Sequence, residues 1–294
     1  MFDLRYHVAS LTAVFLALVI GILVGVGISD RGLVDKTQTR LLHDQIANLQ
    51  TRLDQASQQT ALSRREQRAA QRYIAETYPV LVHNRLRGKR FAVLFAGKVD
   101  AGIRSTIEQT LTEAGAQVLR GRALKLPVDV PTLEAKLAAE PTTATFAGTS
   151  NLDQLGRALG EELVSGGATP LWDSLADTLV EWREGAARQA VNGVIVVRTA
   201  PPQKGGTSRL LYGLYEGVSS LGVPAVGVEK TGTDKSAVPI YQKAGLSSID
   251  DFDSQAGRLG LVLLLAGASP GQYGLRASDD DSLPSIPLRS GTGG

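Results

Sequence analysis

RFAVLFAGKVDAGIRSTIEQTLTEAGAQVL, residues 90–119, changes its period twice. Arg90 to Phe95 is a short apolar run of strand length, and Ile103, Ile107 and Leu111 then recur at steps of four, the spacing of one helix face. Gly115 stops that helix, and Ala116 to Leu119 begins a second apolar run. Strand, helix and strand in about 30 residues is a βαβ unit, whose two strands lie parallel.

The same alternation continues toward the C-terminus. Val191 to Val197 reads as a strand, Arg209 to Leu221 as a helix and Val223 to Val228 as another strand. Strands separated by helices imply an α/β fold with a mostly parallel sheet covered on both faces. Pro131 to Trp182 reads as helical and irregular, an insertion or one covering layer. Leu259 to Ala266 is strongly apolar but too short to span a bilayer, so it reads as a buried helix capped by Ser254. The expected α/β domain covers residues 85–275, and residues 276–294, rich in Asp, Ser, Pro and Gly, read as a disordered tail.

Upstream, the chemistry is different. Val8 to Ile28 carries no charge, and its polar side chains are only Ser10 and Thr12. That run is long enough for a transmembrane helix, which needs about 20 apolar residues. A cleaved signal would have a shorter apolar core, so residues 1–30 are expected to remain as a single-pass anchor. Arg5, Tyr6 and His7 mark the membrane boundary, and Gly21 with Gly25 forms a small-xxx-small pair that lets helices approach closely.

Residues 31–80 form a mostly polar segment in which no Gly or Pro falls between Gly32 and Pro79. Leu42, Ile46, Leu49 and Leu53 recur at alternating steps of four and three. This is the spacing of a coiled-coil seam, sustained for about two heptads, and the other reading is a solvated helix packed on its own domain. A continuous helix over residues 33–78 would extend about 70 Å. A helix so long and so polar has little else to bury, so self-association through this stalk is expected.

Composition narrows the function. Lys and Arg number 31 against 29 Asp and Glu, leaving no basic surplus for nucleic acid. The chain has no cysteine and its one methionine is Met1, so the soft ligands that select Cu(I) are scarce. His7, His43 and His83 never share the i, i+4 spacing of a helical metal site, and a continuous helix would hold the last two tens of ångströms apart. Ala96 to Gly102 sits where α/β proteins place phosphate loops, but Ile103 and Arg104 follow where a P-loop needs Lys and Ser or Thr. Asp250, Asp251 and Asp253 read as either a hard-cation site or, more simply, the solvated start of a helix. With no nucleophile elbow and no acid/base pair, no catalytic, cofactor-binding or metal residue is assigned, and a non-enzyme is expected.

FDLRYHVASLTAVFLALVIGILVG, residues 2–25, and AGRLGLVLLLAGASPGQYG, residues 256–274, are similar to the opening and the C-terminal signature of the actinobacterial copper transport protein B (MctB) family. The resemblance spans essentially the whole chain. It implies an envelope protein with a stalk and an extracytoplasmic Rossmann-like domain. It also implies copper efflux by the family's name, while some relatives are linked to envelope integrity and the control of cell-wall hydrolysis in division. Charge counting points the other way on topology: Arg5 precedes the anchor, whereas Arg31, Lys36 and Arg40 follow it. The expectation carried forward is an extracytoplasmic domain on a cell-membrane anchor. Its role is that of an oligomeric scaffold or regulator with an envelope protein partner and no nucleic acid. Copper transport, and a small-ligand sensor or degenerate enzyme using the sheet edge, are the alternatives.

Overall fold

The computed structural model describes residues 4–28, 32–185, 189–276 and 280–285, with the side chains of 4–6, 28 and 32–40 outside that description. The chain divides into two units, residues 1–70 and 71–294. The first holds α1 (Leu4–Ile28) and most of α2 (Gly32–Val82), a helix of 51 residues. The second holds the end of α2 and the α/β domain.

In that domain β1 (Arg90–Ala96), α3 (Ala101–Glu113) and β2 (Gln117–Leu124) form the expected βαβ unit. Next come α4 (Val130–Ala139), two short 3₁₀ turns, α5 (Leu152–Ser165), α6 (Pro170–Ser174), α7 (Ala176–Leu179) and β3 (Val180–Gly185). The second half runs β4 (Val194–Arg198), α8 (Gly205–Ser220), β5 (Ala225–Val228), α9 (Val238–Lys243), β6 (Ser247–Ile249), α10 (Gln255–Leu265) and β7 (Gln272–Tyr273). The sheet order is β3-β2-β1-β4-β5-β6-β7, and every pairing is parallel except β2 with β3. The chain winds one way from β1 to β2 and the other way from β1 to β4, so the switch point lies between β1 and β4.

Alternation along the central strands feeds two cores. Ala92, Leu94, Val194 and Val196 face a layer containing Leu155, Leu159, Leu210 and Leu214 of α5 and α8. Phe91, Val93, Phe95, Ile195 and Val197 face Ile107 and Leu111 of α3 and the run Leu259 to Leu265 of α10. Ser254 caps α10 as expected, its Oγ accepting the Gly257 N–H at 2.8 Å.

Helices α5 and α8 touch backbone to backbone. A Cβ added to Gly156 would stand 2.1 Å from the Leu210 carbonyl oxygen, and one on Gly213 would stand 2.0 Å from that of Asp153. Gly160 and Gly217 repeat the relation one turn on, against Leu214 and Arg157. The two glycine pairs, each four residues apart, remove the side chains that would otherwise separate the helices.

The sequence reading ends the stalk helix near Pro79, whereas α2 continues through that proline to Val82. Pro79 forfeits one backbone hydrogen bond, a cost met by tertiary packing in this last turn. Tyr78, Val82 and Leu86 are buried in the core with Ile107, Leu111 and Ala114, and the His83 N–H bonds the Pro79 carbonyl at 3.0 Å. Of the segment expected to be a disordered tail, Arg276 pairs with Asp250 at 2.9 Å, Asp280 accepts the Gln272 N–H at 2.7 Å, and Pro284 is buried. Residues 277–279 and 286–294 lie outside the described residues.

Candidate functional site

In open α/β sheets ligands bind outside the carboxyl ends of the strands, at the switch point. Here that crevice is closed by the chain itself. Past β1 and β4, Thr199 Oγ1 donates to the Lys98 carbonyl at 2.6 Å, and the N–H groups of Thr199 and Ala200 donate to the Ala96 carbonyl at 3.1 and 3.0 Å. Gly97, at φ +119°, lies so close that a Cβ would stand 2.7 Å from the Ala200 nitrogen. The helix start that would cradle a phosphate is also taken. Asp100 Oδ1 accepts the Ile103 N–H at 2.9 Å, and that bond, with a smaller contribution from Lys230 at 3.1 Å, holds its carboxyl below the ordinary range. An incoming phosphate would meet a carboxylate where it needs bare N–H groups.

Farther along the same edge, charged residues that follow β4, β5, β6 and β7 meet in a network around two buried carboxylates. Glu229, after β5, accepts from Ser236 Oγ at 2.7 Å and from the Ala237 N–H. The Arg198 and Arg276 guanidiniums lie 3.9 and 3.8 Å from its carboxylate. Arg276 Nε also pairs with Asp250 at 2.9 Å, and Asp250 accepts the Leu275 N–H at 2.8 Å. These contacts bind the ends of β4, β5, β6 and β7 together.

The aspartate cluster is therefore not a solvated helix start. Asp250 and Asp251 are both buried, because β6 delivers them to the inner edge of the sheet. Asp251 accepts from Ser254 Oγ at 2.7 Å, and burial, aided by its acidic neighbours, pushes its carboxyl above the ordinary range. Asp253 turns outward and accepts from the Thr231 N–H at 2.7 Å. The three carboxylates thus serve different partners, and among the described residues no group of three or more His, Cys, Asp or Glu side chains is placed to hold a metal ion. The sequence reading missed Arg198, Glu229 and Arg276. A signal was available for the first two, since VIVVR and AVGVE each end an apolar strand on a charge.

The N-terminal unit carries the remaining assigned residues. His7 to Gly27 of α1 is long and apolar enough to cross a membrane. Arg5 and Tyr6 lie in its first turn, their side chains outside the description, and His7 is exposed. Around Gly21 and Gly25 an added Cβ would meet nothing within 4 Å. Leu42, Ile46, Leu49 and Leu53 share one stripe of α2, with exposures of 57, 52, 59 and 66%. Within this single chain, then, the apolar stripe is uncovered. His43 lies beside it in sequence, whereas His83 follows the end of α2 with Nε2 2.8 Å from Asn84 Nδ2.

The family described as "Copper transport outer membrane protein, MctB" matches residues 1–284. Relatives named "Copper transporter MctB" in Mycobacterium tuberculosis (strain ATCC 25618 / H37Rv) and Mycobacterium bovis are each 22% identical over 312 residues, covering 93% of this chain and 96% of theirs. With the family matched over residues 1–284 and an N-terminal helix long and apolar enough to cross a membrane, this envelope protein belongs to the MctB family.

Proposed function

We propose that this protein is a non-enzymatic scaffold or regulator of the cell envelope. It is anchored by α1, assembles through the α2 stripe and presents its α/β domain outside the cytoplasm to a protein partner. The observation that carries this reading is the stripe itself: four large aliphatic side chains at heptad spacing, exposed on a helix otherwise dominated by polar residues. Exposed apolar side chains on a soluble helix gain by pairing, and confinement by the anchor raises the effective concentration of stalks. The closed switch-point crevice removes the usual place for a nucleotide cofactor and supports a non-catalytic role.

The absence of cysteine permits a direct test. Leu42→Cys or Leu49→Cys, installed singly and oxidised in membranes, should cross-link two chains, while Ala47→Cys, off the stripe, should not. Equal cross-linking at all three positions, or none at the stripe, would refute the assembly. A reporter fused after Gly294 tests the orientation, and activity only in the cytoplasm would reverse it.

A second reading, copper handling, is favoured by the names of the family and its relatives. In this chain the donors available to copper are imidazoles and carboxylates, with Met1 the one thioether. That set fits tight Cu(I) binding poorly. Copper on this reading would be cargo passed at an assembled seam near His43, a scheme that itself requires the stalks to pair.

A further inference from the structure

Beside the charged network, on the α8 side of the sheet, a cavity of about 220 Å³ opens among Leu126, Pro201, Leu211, Ile240, Ser208 and Arg198. Its walls are mainly aliphatic and proline side chains, and its one cation is Arg198. The Arg198 side chain is only 11% exposed, yet it touches Glu229 at 3.9 Å, beyond hydrogen-bond length. Glu229 is already supplied with donors by Ser236 and the Ala237 N–H, and Arg276 shares its charge. Among the described residues nothing accepts a hydrogen bond from the Arg198 guanidinium, although it carries five N–H donors in a planar fork. A guanidinium only 11% exposed, lining an apolar hollow with the buried, unpartnered Tyr215 hydroxyl, is suited to a planar anion. Nearby, α8 starts at Gly205 without a side-chain cap, so its leading N–H groups add positive potential at the same end.

We propose that this cavity binds a small organic carboxylate, its acid on Arg198 and its short apolar body between Pro201, Leu211 and Ile240. The volume falls below the roughly 300 Å³ at which drug-sized pockets begin, which limits the body to a few carbons or one ring. An inorganic anion would leave the apolar walls unfilled, and a neutral ligand would leave the guanidinium as it is. All the residues that line the cavity belong to the α/β domain.

The test uses the full chain in detergent with isovalerate, benzoate and phenylacetate, each paired with its uncharged amide. Binding is read by ligand-observed saturation-transfer NMR and by the shift in thermal unfolding. At least one acid should bind roughly tenfold or more tightly than its amide, the margin expected of a charge-assisted pair. Arg198→Gln should reduce that acid to the affinity of the amide, and Ser208→Trp should block both by filling the cavity. Thermal unfolding of each variant without ligand verifies that it folds. No binding by any acid, equal binding of acid and amide, or binding that survives Ser208→Trp would each overturn the assignment.

Discussion

Thr199 Oγ1 donates a 2.6 Å hydrogen bond to the carbonyl of Lys98, tying the loop after β1 to the loop after β4 across the switch point of the sheet. The domain thus has the winding of a nucleotide-binding fold with its usual crevice sealed by main chain.

Gly97→Ala should therefore destabilise the domain without any effect on a bound cofactor. It forces a left-handed backbone on alanine and drives a methyl group against Ala200, together about 2 kcal/mol or more. Urea unfolding measures the loss, and ATP or NAD at millimolar concentration should leave the wild-type midpoint unmoved. A nucleotide-dependent rise in that midpoint would mean the crevice opens.

The contact between α5 and α8 makes a second prediction. Gly156→Ala and Gly213→Ala should each cost about 1–3 kcal/mol, because each methyl pushes the two backbones apart. The double variant should lose less than the sum, since one separation relieves both clashes. Strict additivity in urea unfolding would show that the helices respond independently.

Asp251 supplies a pH dependence. Burial holds its carboxyl above the ordinary range, so the folded chain keeps this proton to a higher pH than the unfolded chain does. Its contribution therefore declines as pH rises from the unfolded value, about 4, through the raised folded value. Asp251→Asn should gain stability relative to wild type across that window. Parallel stability curves for the two proteins would deny that this carboxyl titrates differently on folding.

Copper gives the fourth. In competition with a Cu(I) chelator the purified protein should bind weakly, and His43→Ala should abolish any residual Cu(II) site formed where stalks meet. Tight Cu(I) binding by the His43→Ala variant would favour transport over the scaffold.

The sequence made the centre of the fold readable and its margins obscure. Ile103, Ile107 and Leu111 announced α3, and Ser254 ahead of an apolar run announced α10, because strong periodicity and a cap are local signals. Strand β3 was hidden in VEWREG, where as an edge strand it buries little. Strands β6 and β7 were hidden for another reason: Ser247, Ser248 and Gln272 are buried polar residues whose partners lie across the sheet, such as Ser248 Oγ on Gln272. The passage of α2 through Pro79 depended on the docking of Tyr78 and Val82, a tertiary effect. Likewise, Arg198, Glu229, Asp250 and Arg276 are far apart in sequence, and only the parallel topology gathers them at one edge.

Assembly through α2 is the central claim, and sedimentation velocity of the full chain in density-matched detergent tests it most directly. Wild type should sediment as an oligomer, and Leu49→Asp with Leu53→Asp should sediment as a monomer, because each change would bury a charge in an apolar seam. A wild type that is already monomeric, or a double variant that sediments with it as the same oligomer, would contradict the account.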